Sequence, residues 1–342
     1  QIVAKALAKG ANVDKLAAEF ADELDALGVR VAALEKKADN VKITGQIRWH
    51  YASIKGSNGQ KNNHSHQLRT RLMLTGKVND TWNYVTMFEN RSNKADYTGD
   101  EGTATQRAYL NGRLGGAKVM AGRWNLTRTP GGDVYDNRVD GIKAAYGDKI
   151  KLEGYYAKTA TSSWANYAKG LQHDTNAFGP KGRVWGVNAS GKIGDKFTLY
   201  AGYDRFSEKD DARDKDGIFD VGATLKLGDF TFDGIYLKGN ADDRNAKKGA
   251  VGTIAYRGAN FNKVGTWGLE GKYYKQGGAT YVSHTMNGTI PGGNLNFKGF
   301  KLAGNYTIAK GMMLGVEYYD LKNYGNAKNK ARTLWTELQV RF

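Results

Sequence analysis

From Val41 to Phe342 the apolar and polar residues alternate, in one short segment after another. VKITGQIRWHYAS sets Val41, Ile43, Gly45, Ile47, Trp49 and Tyr51 against Lys42, Thr44, Gln46, Arg48 and His50. HQLRTRLMLTGKV sets Leu68, Thr70, Leu72, Leu74, Gly76 and Val78 against Arg69, Arg71, Met73, Thr75 and Lys77. Neighbouring side chains of an extended chain point to opposite sides, so each segment reads as a strand with one apolar and one polar face. Sixteen such segments can be counted. In the last, ARTLWTELQVRF, the residues Leu334, Thr336, Leu338, Val340 and Phe342 share the apolar side. A strand that carries its apolar stripe to a final aromatic is expected to close a sheet and to turn that stripe towards lipid.

The connections alternate as well. After every second segment stands a tight turn: Asn79-Asp80, Gly115-Gly116, Gly147-Asp148, Gly194-Asp195, Gly228-Asp229 and Lys310-Gly311, with 259–264 looser. Such residues take the positive φ of hairpin turns. Between them lie longer polar loops, among them GSNGQKNNHS, SEKDDARDKDG, 124–138, 159–181 and 276–296. Short turns on one side and long loops on the other predict an all-β transmembrane barrel of about 16 antiparallel strands. An even count puts both barrel ends on the short-turn side.

A soluble β-sandwich alternates too, but sixteen long strands rarely stay open without curling or splitting. Aromatics also gather on the apolar face in two bands. Trp82, Tyr84, Phe197, Phe230, Phe232, Tyr306 and Phe342 lie by the turns, and Tyr51, Tyr156, Tyr203 and Tyr318 towards the loops. Two aromatic girdles suit two lipid interfaces. No run reaches the roughly 18 apolar residues of a membrane helix. A basic side chain facing mid-bilayer costs about 2–4 kcal/mol, so Arg48, Arg69, Arg71, Arg107 and Lys272 are expected to face a wet interior.

Residues 1–40 follow another period. Val13, Ala17, Phe20, Leu24, Leu27, Val31, Leu34 and Ala38 recur at alternating spacings of four and three, the seam of a coiled coil. Asn12 can cap the start. The seam predicts an α-helical oligomeric stalk over 12–40, preceding a barrel over 41–342; an amphipathic helix packed on its own domain is the alternative. With both barrel ends on the turn side, the stalk is expected in the periplasm. The chain starts at Gln1 without Met or signal peptide, so targeting cannot be read from it. Of 51 basic and 34 acidic residues in all, 45 and 27 lie in 41–342. That surplus suggests anionic partners: lipid or lipopolysaccharide, small anions in a pore, or nucleic acid.

The closing strand ending on Phe342 resembles that of Gram-negative-type porins. Stalk and barrel together resemble the OmpM-type porins, in which a surface-layer-homology (SLH) domain and a coiled coil tether a trimeric barrel to peptidoglycan. QIVAKALAKG (residues 1–10, with linker to 11) is similar to the last helix of an SLH module. The resemblance implies a homotrimeric outer-membrane diffusion porin and a tether, or chiefly a tether with a narrow or plugged lumen. In general porins the third long loop folds inward, and RWNLTRTPGGDVYDNRVDG (Arg123 to Gly141) corresponds to it. Asp133 and Asp136 would then face Arg48, Arg69, Arg71, Arg91 and Arg107, with Glu89 among them. Acids opposite bases set a transverse field in a narrow passage, and the basic excess predicts mild anion preference.

Other chemistry finds little support. His64 and His66 form HSH without an evident third metal ligand. DARDKDG (211–217) has Ala212 where a calcium loop needs its first ligand. There is no cysteine and no phosphate or dinucleotide motif. The basic residues are dispersed without a recognition helix, against a nucleic-acid reader. Neither a cofactor nor an enzyme activity is expected.

Overall fold

The computed structural model describes residues 41–57, 62–93, 102–159, 182–208, 211–241, 246–292, 295–325 and 328–342. The expected stalk over 12–40, with its seam from Val13 to Ala38, lies outside them. Sixteen strands form one closed antiparallel barrel. They are β1 (Val41–Ser57), β2 (Asn63–Lys77), β3 (Trp82–Asn93), β4 (Thr103–Leu114), β5 (Ala117–Arg128), β6 (Tyr135–Tyr146), β7 (Ile150–Thr159) and β8 (Gly182–Ile193). Then follow β9 (Phe197–Glu208), β10 (Asp211–Leu227), β11 (Phe230–Gly239), β12 (Lys248–Arg257), β13 (Trp267–Gln276), β14 (Phe297–Ala309), β15 (Met312–Asn323) and β16 (Lys330–Arg341). One 3-10 turn, Gly278–Thr280, interrupts the β13–β14 connection.

Closure answers the question raised by the last strand. β16 pairs with β1 in a continuous register from Gln46 opposite Arg341 to Ser57 opposite Lys330. Beyond it, Gly45 and Phe342 exchange backbone hydrogen bonds of 2.8 and 3.1 Å. Every strand thus has two neighbours, and no edge is left in contact with lipid.

The turns form as their residues dictate. Gly228 takes φ 57° in the β10–β11 turn, a conformation open to glycine at no steric cost. At β2–β3, Asn79 does the work with its side chain, Oδ1 accepting hydrogen bonds from Thr81 N and Trp82 N at 3.0 and 2.9 Å. Apolar residues of the expected lipid face stand bare: Ile43, Leu72, Val187, Val221, Leu302 and Leu334 are all exposed. On the turn side, Phe230, Tyr256 and Trp267 form a run of ring contacts at 4.8 and 5.5 Å. Trp185 and Tyr203 meet at 5.6 Å towards the loops.

The stretches read as loops differ from that reading in two ways. Much of 124–138 is strand: β5 and β6 pair as far as Arg128 opposite Tyr135, leaving 129–134 as the tip. Most of 207–217 likewise belongs to β9 and β10. Ladder hydrogen bonds are satisfied inside or outside lipid, so strands run on past the point where the apolar stripe ends. The second difference is 276–296. This is no solvated loop; Ala279, Tyr281, Val282, Met286 and Ile290 are buried. Tyr281, Val282, Met286 and Ile290 pack in one apolar cluster with Phe206, Ile218, Leu237, Phe297 and Leu321, wall residues from the loop-ward halves of their strands.

Candidate functional site

The inward positions of the first four strands bring one carboxylate among several arginines. Glu89 on β3 is fully buried. It accepts hydrogen bonds from Arg71 on β2, from Arg91 Nε at 2.7 Å and from Gln106 Nε2 at 2.8 Å. Arg69 Nε stands 3.9 Å away. Gln106 reaches Glu89 because β4 bulges there: the register jumps from Arg107 opposite Met87 to Thr105 opposite Phe88. An extra residue in one strand re-aims its side chain, so Gln106 and Arg107 both serve the interior. Arg48 lies 3.8 Å from Glu337 and with its guanidinium 5.2 Å from the Trp335 ring centre. Glu89 and Glu337 thus serve four arginines, Arg107 on β4 is a fifth, and the wall stays positive.

Two cavities show where solvent reaches this wall. One of about 810 Å³ opens on the turn side and extends inward to Arg71 and Arg107. A smaller one of about 160 Å³ joins Arg107 and Lys143 to Tyr109, Trp124, Asn125 and Thr127. Arg107 lines both. Asp136 stands behind the smaller cavity, accepting hydrogen bonds from Asn125 Nδ2 and Thr127 Oγ1, both at 2.6 Å.

Asp133 is elsewhere. Its chain bends at Thr129, which takes φ 67°, and at Gly132, φ 64°. Its carboxylate meets Lys272 Nζ of β13 at 2.7 Å and His284 Nε2 at 3.5 Å. Its backbone oxygen accepts a hydrogen bond from Gln276 Nε2 at 3.0 Å. Burial pushes the Asp133 carboxyl above the usual carboxylate range, against the pull of Lys272. Beside it, Arg128 donates from Nε to both oxygens of Asp204, at 2.9 and 2.8 Å, and from Nη2 to Asp220 at 2.9 Å. Tyr155 also donates its hydroxyl hydrogen to Asp204. The β5–β6 tip is therefore bound to β9, β10 and β13 by buried charges.

Segment 277–296 holds the same tip. Ser283 bridges Tyr135 in parallel. Val282 N donates to Val134 O and Asp136 N to Ser283 O, at 2.9 and 2.8 Å. Thr289 N donates to Thr333 Oγ1 of β16 at 3.1 Å, and Asn287 Nδ2 to Glu317 of β15 at 2.9 Å. The two insertions act as one packed unit.

Of the residues singled out from the sequence, Arg48, Arg69, Arg71, Glu89, Arg91 and Arg107 thus lie together. Asp136 stands behind the cavity that Arg107 lines, and Asp133 pairs with Lys272 instead. Phe342 pairs with Gly45 at the β1–β16 seam. Sequence reasoning missed Gln106, Lys143, Arg128 with its two aspartates, and the whole of 277–296. A signal for the last was present: Tyr281, Val282, Met286 and Ile290 are too apolar for a solvated loop. Among the described residues no group of three or more His, Cys, Asp or Glu could hold a metal.

The family model described as Gram-negative porin matches residues 17–326. Among solved structures, the barrel is similar to OprB of Pseudomonas putida at high pH, with 11% identity, TM-score 0.63, and 93% of this chain and 97% of that one covered. It is similar to Salmonella typhi OmpF in complex with daunomycin, with 11% identity, TM-score 0.59 and coverage of 88% and 97%. A mutant of the Rh. blastica porin aligns with 14% identity, TM-score 0.54 and coverage of 88% and 100%. No curated protein sequence matches the chain.

Proposed function

Because the chain belongs to the Gram-negative porin family, we propose that it is a diffusion porin of the outer membrane, passing small hydrophilic solutes and ions. The observation that carries this reading is the pair of cavities meeting at Arg107. They mark a route along the arginine-bearing wall while the insertions fill the loop-ward interior on the other side. With Arg48, Arg69, Arg71, Arg91, Arg107 and Lys143 along it, the route selects mildly for anions; cations meet a positive potential focused between low-dielectric walls. Glu89 holds the arginines in place, and Asp136 sets the acidic side of the narrow part.

The protein is a homotrimer in this reading, its barrel surrounded by lipid and lipopolysaccharide. The stalk over 12–40 joins the three copies in the periplasm. The likeness of QIVAKALAKG to the end of an SLH module supports a link to peptidoglycan or a polymer attached to it. A second reading, chiefly a tether with a plugged lumen, is favoured by the buried packing of 277–296.

Planar-bilayer recording under a KCl gradient separates the two. Stepwise openings, in threes, with a reversal potential favouring chloride are expected. A silent membrane, with insertion confirmed independently, would leave the tether.

A further inference from the structure

The turn-side cavity has the make-up of a binding site as well as of an entrance. Its volume of about 810 Å³ falls in the range of small-molecule sites. Arg71, Arg107, Lys310 and Arg341 line it, and among the described residues no acidic side chain does. Arg71 is shared with Glu89 behind it. Arg341 lies with its guanidinium 3.9 Å from the Phe261 ring centre, a contact made through the face of the guanidinium that leaves its N–H edge for an anion. Met73, Met87, Phe261 and Phe342 give the lining an apolar part, beside the uncharged polar Thr44, Gln46 and Asn262. Thioethers adapt to ligands of varied shape.

We propose that this vestibule binds small organic anions with an apolar body, of the medium-chain carboxylate class, and that they occupy it ahead of the arginine-lined passage. The proposal rests on the porin reading above. A compact anion gains only the charge of the site. A longer carboxylate also removes its chain from water against the methionines and Phe261, each buried methylene strengthening binding about fourfold. Neutral molecules of the same length lack the charge that concentrates anions at the mouth.

The test uses the whole protein conducting KCl in a planar bilayer, with hexanoate, acetate or hexanol added to one side and then to the other. Hexanoate is expected to reduce conductance from one side, half-blocking at about a fifteen-fold lower concentration than acetate when two of its four additional methylenes are buried, with hexanol inert. Lys310→Gln and Phe261→Ser, at the turns, each raise the half-blocking concentration several-fold. Equal block by hexanoate and acetate, equal block from both sides, or variants that leave it unchanged would overturn the proposal. Should neither variant insert, sidedness and chain-length dependence in the unaltered protein decide. A membrane silent in KCl would overturn the porin reading and this site with it.

Discussion

The inner wall of β1–β4 and the loop-ward inner wall of β7–β15 are built from the same alternation and end in opposite conditions. The first carries arginines whose side chains keep partial contact with solvent, 24% exposed for Arg71 and 28% for Arg91. The second carries Val184, Phe206, Ile218 and Leu237 with no exposure at all. Alternation decides which residues face inward. What fills the inside decides whether that interior is a core or a passage. Here the β5–β6 tip and segment 277–296 cover one part and leave the other wet.

The largest effect should come from cutting the fastening of the filled side. Arg128→Ala leaves Asp204 and Asp220 buried without their cation, which costs about 3–5 kcal/mol. The barrel should lose heat resistance on detergent gels, and any channel that forms should show larger, noisier conductance. An unchanged variant would mean that the tip is held by packing alone.

Next comes the outer face, which both walls share. Val221 is exposed on β10, and Val221→Arg should cost about 2–4 kcal/mol if its side chain meets mid-bilayer lipid. The same replacement would be tolerated by a protein that stays in water, so refolding yield into vesicles checks it.

A smaller change is expected at the open wall. Glu89→Gln removes the charge that three arginines approach, but Arg71 and Arg91 can hydrate, so the loss should be about 1–2 kcal/mol. Selectivity should respond more than stability, with the reversal potential moving further towards chloride. Unchanged selectivity would place the ion path away from this cluster. Smallest of all is Thr129→Asn: Asn tolerates the left-handed conformation that Thr129 occupies, and a gain of up to about 1 kcal/mol is expected in thermal unfolding.

How legible all this was follows from the range of each signal. A strand such as Val41–Ser57 declares itself through its own neighbours, and a turn such as Gly228-Asp229 through two residues. Strand count, turn positions and the inward side of Arg48, Arg69 and Arg71 were therefore readable. Asp133 falls opposite the arginines only while loop and wall are read without the rest of the interior. Its partner Lys272 lies 139 residues further along, and no local pattern announces such a pair. Arg128 with Asp204 and Asp220 is hidden in the same way. Gln106 escaped notice because a bulge is a fault in the alternation that the reading relied on. Segment 277–296 imitates a surface loop because Gly, Thr, Asn and Pro stand among its apolar residues.

In the proposed porin the passage follows the arginine wall, while the loop-ward half of the other wall is closed. The chain contains no cysteine, so single cysteines can report on each side without background. Met73→Cys and Val184→Cys would be exposed to a negatively charged methanethiosulfonate reagent while conductance is recorded. Rapid modification and reduced current at position 73, with position 184 unreactive, is the predicted result. Modification at position 184 with loss of current, and none at 73, would contradict it.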